Sequence, residues 1–93
     1  MEIQELKPKK DRIREWCQSL RYSGYTQIQG KYSDQQNGRC ALGVGLEQMN
    51  GGLSLHDYFG ITPDERIHIM NMNDIYNHSF KDIAFYLEDK YEL

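Results

Sequence analysis

Apolar residues recur at helical spacing near the start of the chain. The four that define the pattern are Ile13, Trp16, Cys17 and Leu20. Their spacing of i, i+3, i+4 and i+7 places them on one face of a helix. The pattern predicts a helix from about Lys9 to Tyr22, with Arg12 and other polar residues outside the apolar face. Gly24 follows and can adopt the left-handed conformation that ends a helix.

The following stretch favours extended backbone and a tight turn. Residues 25–29 contain aromatic and β-branched side chains in partial alternation, and residues 30–33 can continue the strand past a bulge. Residues 34–38 end in Asn37 and Gly38, a pair typical of hairpin turns. The pattern predicts a short hairpin in which Arg39 and Cys40 return along the first strand.

The most apolar run of the chain comes next and is punctuated by glycine. It predicts a short helix from Cys40 or Ala41 to Met49, which residues 50–52 then stop. Gly43 and Gly45 each disfavour a helix by roughly 1 kcal/mol relative to alanine. Their presence indicates that another backbone comes close to this helix, and the first helix is the candidate.

Capping sequences mark the starts of three further helices. Ser54 precedes a short helix, and Ser79 precedes the last one. Thr62 precedes a helix that extends to about residue 72. In that helix Pro63 takes the first helical position, and Glu65 can return a hydrogen bond to the cap.

These elements predict a mainly α fold of the α+β type. It has four to five short helices around a small core, with one short β-hairpin between helix 1 and helix 2. The helix after Thr62 buries either Ile69 and Met72 or Ile67 and Met70. The last helix has an apolar stripe of Phe80, Ile83, Ala84, Leu87 and Tyr91. The predicted core consists of Trp16, Leu20, Leu42, Leu46, Ile83 and Leu87.

Length and charge narrow the class of protein. The 93 residues suit a single domain spanning 1–93, with residues 1–7 as a frayed leader. Through Glu47, eight Lys and Arg face six Asp and Glu, whereas from Gln48 onward three face eight. The net charge of −3 lacks the basic excess typical of nucleic-acid binders, and the uneven split suits a charged partner.

The sequence predicts a cytoplasmic protein. Its first residues are charged and lack the apolar segment of a signal peptide. No run approaches the ~18 apolar residues of a membrane helix, so no membrane partner is expected. Cys17 and Cys40 are therefore expected to be free thiols in a reducing compartment. The spacings match neither zinc motifs nor nucleotide-binding glycine loops, so no metal or cofactor is expected.

Several short segments form an ordered pattern along most of the chain. They comprise Trp16, Leu20, Ser23, Gly24, Tyr25, Gln27, Gly30, Cys40, Ala41, Leu42, Gly43, Val44, Asn73, Asp74, Ser79, Phe80, Ile83 and Ala84. This pattern resembles a family of small uncharacterised proteins common in phage and prophage genomes. Members often carry proline and tryptophan between the middle segments, where this chain has Ser54, Leu55, Tyr58 and Phe59. The resemblance implies a phage or mobile-element origin and a shared fold, and it implies no activity.

Cys40 is the candidate catalytic residue. A thiol at a helix N-terminus has a lowered pKa and is a better nucleophile at neutral pH. His56, His68 or His78 would supply the base and Asp74 or Asn73 would orient it, which describes a thiol hydrolase or transferase. Alternatively, Cys40 is a small core residue in an apolar run and the protein is not an enzyme.

Four residues are candidates for binding. Asn73 and Asp74 either bond to nearby backbone or form a polar anchor in a pocket. Tyr25 and Tyr76 belong to a set of seven tyrosines, which are too many for so small a core, and exposed aromatic residues suit a protein interface. The sequence favours a phage- or prophage-type accessory protein that binds a host protein. The alternatives are a thiol enzyme and a protein that binds a nucleotide or another small ligand near Asn73, Asp74 and Cys40.

Overall fold

Five helices and one two-stranded sheet make up the part of the chain that the computed structural model describes, residues 8–49 and 54–93. The helices are α1 (Lys9–Tyr22), α2 (Ala41–Glu47), α3 (Leu55–Phe59), α4 (Pro63–Asp74) and α5 (Phe80–Lys90). The strands are β1 (Thr26–Gln27) and β2 (Gly38–Arg39), between α1 and α2. The mainly α fold is therefore confirmed. The leader expected at 1–7 and the helix stop expected at 50–52 lie outside the described residues.

The two strands pair in parallel, so the hairpin predicted between them is wrong. Thr26 lies opposite Gly38, and Gln27 lies opposite Arg39. The predicted turn does form, and it closes a single antiparallel bridge between Ser33 and Arg39. The reason lies at Gly30, whose left-handed φ of +81° turns the chain after β1. Because of that turn, residues near Ser33 run opposite to β1 and pair with β2 themselves.

Trp16 joins three helices at the centre of the core. Its ring is fully buried and stacks on Phe59 of α3 at 4.6 Å between centroids. Its indole Nε1 donates a hydrogen bond to the carbonyl oxygen of Ala41 at 3.0 Å, which satisfies the one polar atom of the ring. Leu20, Leu42, Ile83 and Leu87 are buried around it, as predicted.

The structure decides which face of α4 is buried, and it places one predicted core residue of α2 at the surface. In α4, Ile69 and Met72 are buried while Ile67 is exposed, which decides between the two predicted faces. Leu46 was expected in the core and is wrong there, since 36% of it is exposed. It lies in the last turn of α2 beside a groove that Leu55 also lines.

The glycines of α2 do permit close approach, but to two different neighbours. A Cβ atom at Gly45 would lie 3.0 Å from Cε2 of Trp16, so this glycine makes room for a side chain of α1 and not for its backbone, which was expected there. A Cβ atom at Gly43 would overlap the carbonyl oxygen of Tyr32, which belongs to the loop before β2. Gly43 therefore makes room for a loop backbone that the sequence pattern did not identify.

Two charged side chains are buried against expectation. Arg12 was placed on the solvent side of α1, yet its Nη1 donates to the carbonyl oxygen of Tyr58 at 2.8 Å. Its guanidinium also lies 4.8 Å from the centre of the Tyr58 ring. These contacts attach α1 to α3, because an arginine stem is long enough to cover apolar surface while its head finds a carbonyl.

Glu65 is the second buried charge. Thr62 caps α4 as predicted, accepting a hydrogen bond from the Glu65 amide at 3.1 Å. The carboxylate of Glu65 was expected to return a bond to the cap, but it accepts from the Tyr86 hydroxyl at 3.0 Å and from Lys90 Nζ at 3.2 Å. These bonds tie α4 to α5, and they raise the pKa of Lys90.

Candidate binding surface

Cys40 is a buried structural residue at the start of α2. Its extended backbone forms the N-cap, and its sulfur accepts a hydrogen bond from the Gly43 amide at 3.4 Å. Burial raises the pKa of the thiol, and the nearby Asp74 carboxylate adds to the effect; hydrogen bonds from backbone amides oppose it without reversing it. The pKa of the Cys40 thiol is thus raised rather than lowered, which favours the alternative of a buried core residue; a role as nucleophile stays a prediction.

The three histidines lie at the surface and bond elsewhere. His56 Nδ1 lies 2.6 Å from the carbonyl oxygen of Ile61, and the His68 ring lies 5.1 Å from that of Tyr86. His78 Nδ1 lies 3.8 Å from a carboxylate oxygen of Asp82. In the described ranges, no three His, Cys, Asp or Glu side chains gather where a metal ion could bind. Within the described residues, the hydrogen bonds, ion pairs and ring contacts of the three histidine rings are made with residues other than Cys40.

Asn73 is a structural centre rather than an open polar anchor. Its side chain is 1% exposed, and its Oδ1 accepts from Gln27 Nε2 at 2.8 Å and from the Ala41 amide at 3.1 Å. Its Nδ2 donates to the Ile28 carbonyl at 2.8 Å and to Asp74 Oδ1 at 2.7 Å. All four bonds that an asparagine amide ordinarily makes are used within the chain.

Gln27 completes this polar centre and was missed as a site residue by the sequence reasoning. Besides Asn73, its Nε2 donates to the carbonyl oxygen of His78 at 2.7 Å. Its Oε1 accepts from the Phe80 amide at 3.1 Å and so satisfies a first-turn donor of α5. We call Gln27 and Asn73 the amide hub. The only sign of it in the sequence is a pair of amide residues 46 positions apart.

Asp74 and Cys40 line one small cavity. It has a volume of about 230 Å³, and its walls are Gly30, Lys31, Tyr32, Cys40, Met70 and Asp74. The structure thus brings together two of the three residues that the small-ligand alternative requires, while Asn73 lies behind Asp74. Lys31 and Asp74 give the walls both signs of charge, which suits a small polar ligand more than a large ion.

Tyr25 and Tyr76 occupy different positions on the surface. Tyr25 is half-buried, with the Arg39 guanidinium 4.8 Å from its ring centre. Tyr76 projects from the connection between α4 and α5, beside the exposed Ile75, and its ring lies 6.4 Å from that of His78. The four predicted binding residues therefore lie in different settings. Asn73 is buried and Asp74 lines the cavity, whereas Tyr25 is half-buried and Tyr76 is exposed.

A groove runs between the end of α1 and the beginning of α5. It measures about 470 Å³ and is lined by Leu20, Arg21, Tyr22, Gly24, Tyr25, Ser79, Phe80 and Lys81. We call it the α1–α5 groove. Tyr22 and Phe85 are among the most exposed large apolar residues described. Phe85 lies one helical turn beyond Lys81, so it extends the same face of α5.

Phe85 and Lys81 were not predicted as site residues. Phe85 could have been recognised, because it falls outside the apolar stripe predicted for the last helix and so occupies a polar face. Lys81 could not, since only the packing of α1 against α5 places it beside the groove. Aromatic residues on a polar helix face are a usable sign of an interface.

No helix in residues 8–49 and 54–93 is long and apolar enough to cross a membrane. The described surface includes the mixed-charge cavity at Cys40 and Asp74, the aromatic α1–α5 groove and the exposed aromatic connection between α4 and α5. No protein-family model, curated protein or solved structure matches this chain.

Proposed function

We propose that this chain is a phage- or prophage-type accessory protein that binds a host protein in the host cytoplasm. The observation that carries the proposal is a set of large apolar side chains in water. Tyr22 is 81% exposed, Phe85 68%, Tyr76 63% and Ile75 62%. Aromatic residues are enriched at the centres of protein interfaces, where they contribute large contact area at low entropic cost.

These residues form two separate patches. Tyr22 and Phe85 flank the α1–α5 groove, whereas Ile75 and Tyr76 lie on the connection between α4 and α5. The core is complete without them, since the buried cluster around Trp16 draws on all five helices. Side chains that neither fill the core nor cap a helix are available for contact with another molecule. The phage setting comes from the sequence resemblance.

The proposal is non-enzymatic. Burial holds Cys40 in its thiol form at neutral pH, and the bonds of His56 and His68 lie away from it. A thiol hydrolase or transferase needs a thiolate and a base within hydrogen-bond reach. Rapid alkylation of Cys40 by iodoacetamide in the native protein, measured in a Cys17→Ser background, would favour the enzyme instead.

Capture from bacterial lysates tests the proposal. The tagged protein should retain one host protein reproducibly, and replacing the aromatic residues of the responsible patch should reduce that capture at least about tenfold. The two test variants are Tyr22→Ser with Phe85→Ser, and Ile75→Ser with Tyr76→Ser. The matched control is Lys10→Ala with Gln18→Ala, two exposed polar positions on α1. Capture that is absent, or equal in all variants, would overturn the proposal.

A second candidate function is favoured by the cavity of about 230 Å³ at Cys40 and Asp74. In this alternative the protein binds a nucleotide or another small polar ligand there. A thermal shift across a nucleotide and metabolite panel measures it, because a ligand that binds only the folded state raises the melting temperature. The shift should be lost in Asp74→Asn and retained in Asp89→Asn, an exposed acid at the end of α5. A panel without any shift argues against this candidate.

A further inference from the structure

The α1–α5 groove has an apolar interior. Leu20 is buried at its base, and Tyr25 and Phe80 are partly buried against the core. Tyr22 stands almost fully exposed at the edge. A volume of about 470 Å³ is within the range of pockets that hold a large side chain or a small ligand.

The charge of the groove has one sign. Its lining includes two cations, Arg21 and Lys81, and no carboxylate. Arg21 is already engaged, since Glu88 accepts from its Nη2 at 2.5 Å and from its Nε at 3.3 Å. Lys81 is exposed and forms no hydrogen bond or ion pair with any described residue. The groove therefore presents one uncompensated positive side chain beside an apolar interior.

The first turn of α5 adds to this positive potential. Ser79 Oγ accepts from the Asp82 amide at 3.1 Å, and Gln27 Oε1 accepts from the Phe80 amide at 3.1 Å. The amide of Lys81, between them, has no acceptor among the described residues. Asp82 follows Lys81 in the chain, but it lies outside the lining, and its carboxylate is 3.8 Å from His78 Nδ1. The positive end of the helix dipole and the lysine thus favour an anion at the same place.

We propose that the α1–α5 groove binds an acidic, apolar segment of the partner protein. One aromatic or large aliphatic side chain of that segment occupies the interior between Tyr25 and Phe80. A neighbouring carboxylate pairs with the ammonium of Lys81 and with the Lys81 amide. The inference rests on the proposed function and names the surface and the chemistry of its partner.

Two short peptides test the proposal without the natural partner. Each is a capped hexapeptide with one tryptophan, flanked by aspartates in the first peptide and by lysines in the second. Amide chemical shifts of ¹⁵N-labelled protein report where each peptide binds. The aspartate peptide should shift the amides of Gly24, Ser79 and Lys81, and the lysine peptide should bind at least about tenfold more weakly.

Lys81→Glu provides the matched variant. The substitution lies on an exposed position in the first turn of α5, where a carboxylate is favoured by the helix dipole, so the variant is expected to fold. It should weaken the aspartate peptide at least about tenfold and improve the lysine peptide. Lys10→Glu, an exposed lysine at the start of α1, should leave both affinities unchanged.

Three results would overturn the proposal. The first is equal binding of the two peptides, the second is shifts that map outside the groove, and the third is no shift with either peptide at about 1 mM or above. If dilution of the free protein alone shifts the same amides, a second copy of the chain occupies the groove instead. Host capture that survives Lys81→Glu but is lost with Ile75→Ser and Tyr76→Ser would preserve the proposed function and refute the groove.

Discussion

The amide hub and the α1–α5 groove are connected at Phe80, which lines the groove and donates its amide to Gln27 of the hub, yet the two regions differ in the hydrogen-bonding groups that they leave unused. In the hub, Asn73 makes four hydrogen bonds within the chain, and its side chain is buried. In the groove, Lys81 forms no hydrogen bond or ion pair with any described residue. The polar groups of Asn73 are all hydrogen-bonded within the fold, whereas the ammonium of Lys81 is not.

The difference shows that residue type alone does not identify a binding residue. Asn73 and Lys81 are both polar residues next to helix ends, and the sequence nominated only Asn73. The Asn73 side chain has no unused hydrogen-bonding capacity in the structure, and capacity already used inside the fold is not available to a ligand. What matters is the unused capacity of a group at an accessible position.

The largest expected effect is the loss of the hub. Asn73→Ala leaves the Ala41 amide and the Ile28 carbonyl without their partner in a buried setting, so the free energy of unfolding should fall by roughly 3 kcal/mol. Urea denaturation followed by circular dichroism measures it. Asn71→Ala, two residues earlier on α4, is the control and should change stability by less than about 0.5 kcal/mol. An equal loss of unfolding free energy in both variants would show that the hydrogen bonds of Asn73 do not stabilise the fold more than the side chain of Asn71 does.

The packing of α2 beside the hub gives the next effect. Gly43→Ala would push a methyl group into the Tyr32 carbonyl oxygen, and overpacking of this kind costs roughly 2 kcal/mol. Gly45→Ala meets side chains rather than backbone, with the Trp16 ring at 3.0 Å and the Phe59 ring at 3.3 Å. There the gain in helix propensity, about 1 kcal/mol, offsets much of the strain. Thermal melts of the two variants compare them directly, and a Gly45→Ala protein less stable than Gly43→Ala would contradict the assignment.

Buried groups should also make stability fall in alkali. Burial raises the pKa of the Cys17 thiol from 9.0 to about 12, and the Glu88 carboxylate adds to it. A raised pKa in the folded state means that the stabilising contribution is full below pH 9 and is lost as the pH rises towards 12. By pH 10 the free energy of unfolding should have fallen by roughly 1 kcal/mol because of this thiol.

Urea titrations at pH 7, 9 and 10 measure this dependence. Cys17→Ala should show a shallower decline than the wild-type protein, whatever its stability at pH 7. Cys40→Ser is the control for a second buried thiol, and it should keep most of the decline because Cys17 is still present. Identical slopes in the wild-type and Cys17→Ala proteins would mean that the Cys17 thiol is not protected by the fold.

The smallest stability effect is expected at the groove. Tyr22→Ser and Phe85→Ser remove exposed side chains, so each should change the free energy of unfolding by less than about 0.5 kcal/mol. The same denaturation experiments provide the values. A loss above about 1 kcal/mol for either variant would place that side chain in the packed structure and would remove the contrast with the hub.

Local features of the fold were predictable because they depend on residues within a few positions of each other. The limits of α1 match the apolar spacing, and Ser54, Thr62 and Ser79 each accept the hydrogen bond expected of a cap. Capping joins a side chain to an amide three residues on, so the sequence contains all the information. Among the candidate site residues, Tyr76 was the one correctly expected to be an exposed aromatic.

The candidate site was less predictable because its contacts join distant parts of the chain. The hydrogen bond that the Ala41 amide donates to Asn73 joins residues 32 positions apart. The Arg21–Glu88 ion pair joins residues 67 positions apart. The burial of Cys40 reverses the pKa direction that its helix N-terminus suggests, and that burial depends on the packing of several elements. A local sequence pattern does not indicate whether burial or the helix N-terminus has the larger effect on the pKa of Cys40.

By itself, the sequence determined the helices, their caps and most of the core, since hydrophobic periodicity and capping act over one or two helical turns. The tertiary structure alone decided that β1 and β2 run parallel, that Arg12 and Glu65 are buried and that Leu46 is exposed. It also decided that Asn73 is fully bonded while Lys81 is not. The physical reason is that the burial of a side chain and its hydrogen-bond partners depend on which distant segments pack against it. That packing depends on the whole chain and not on a few neighbouring residues.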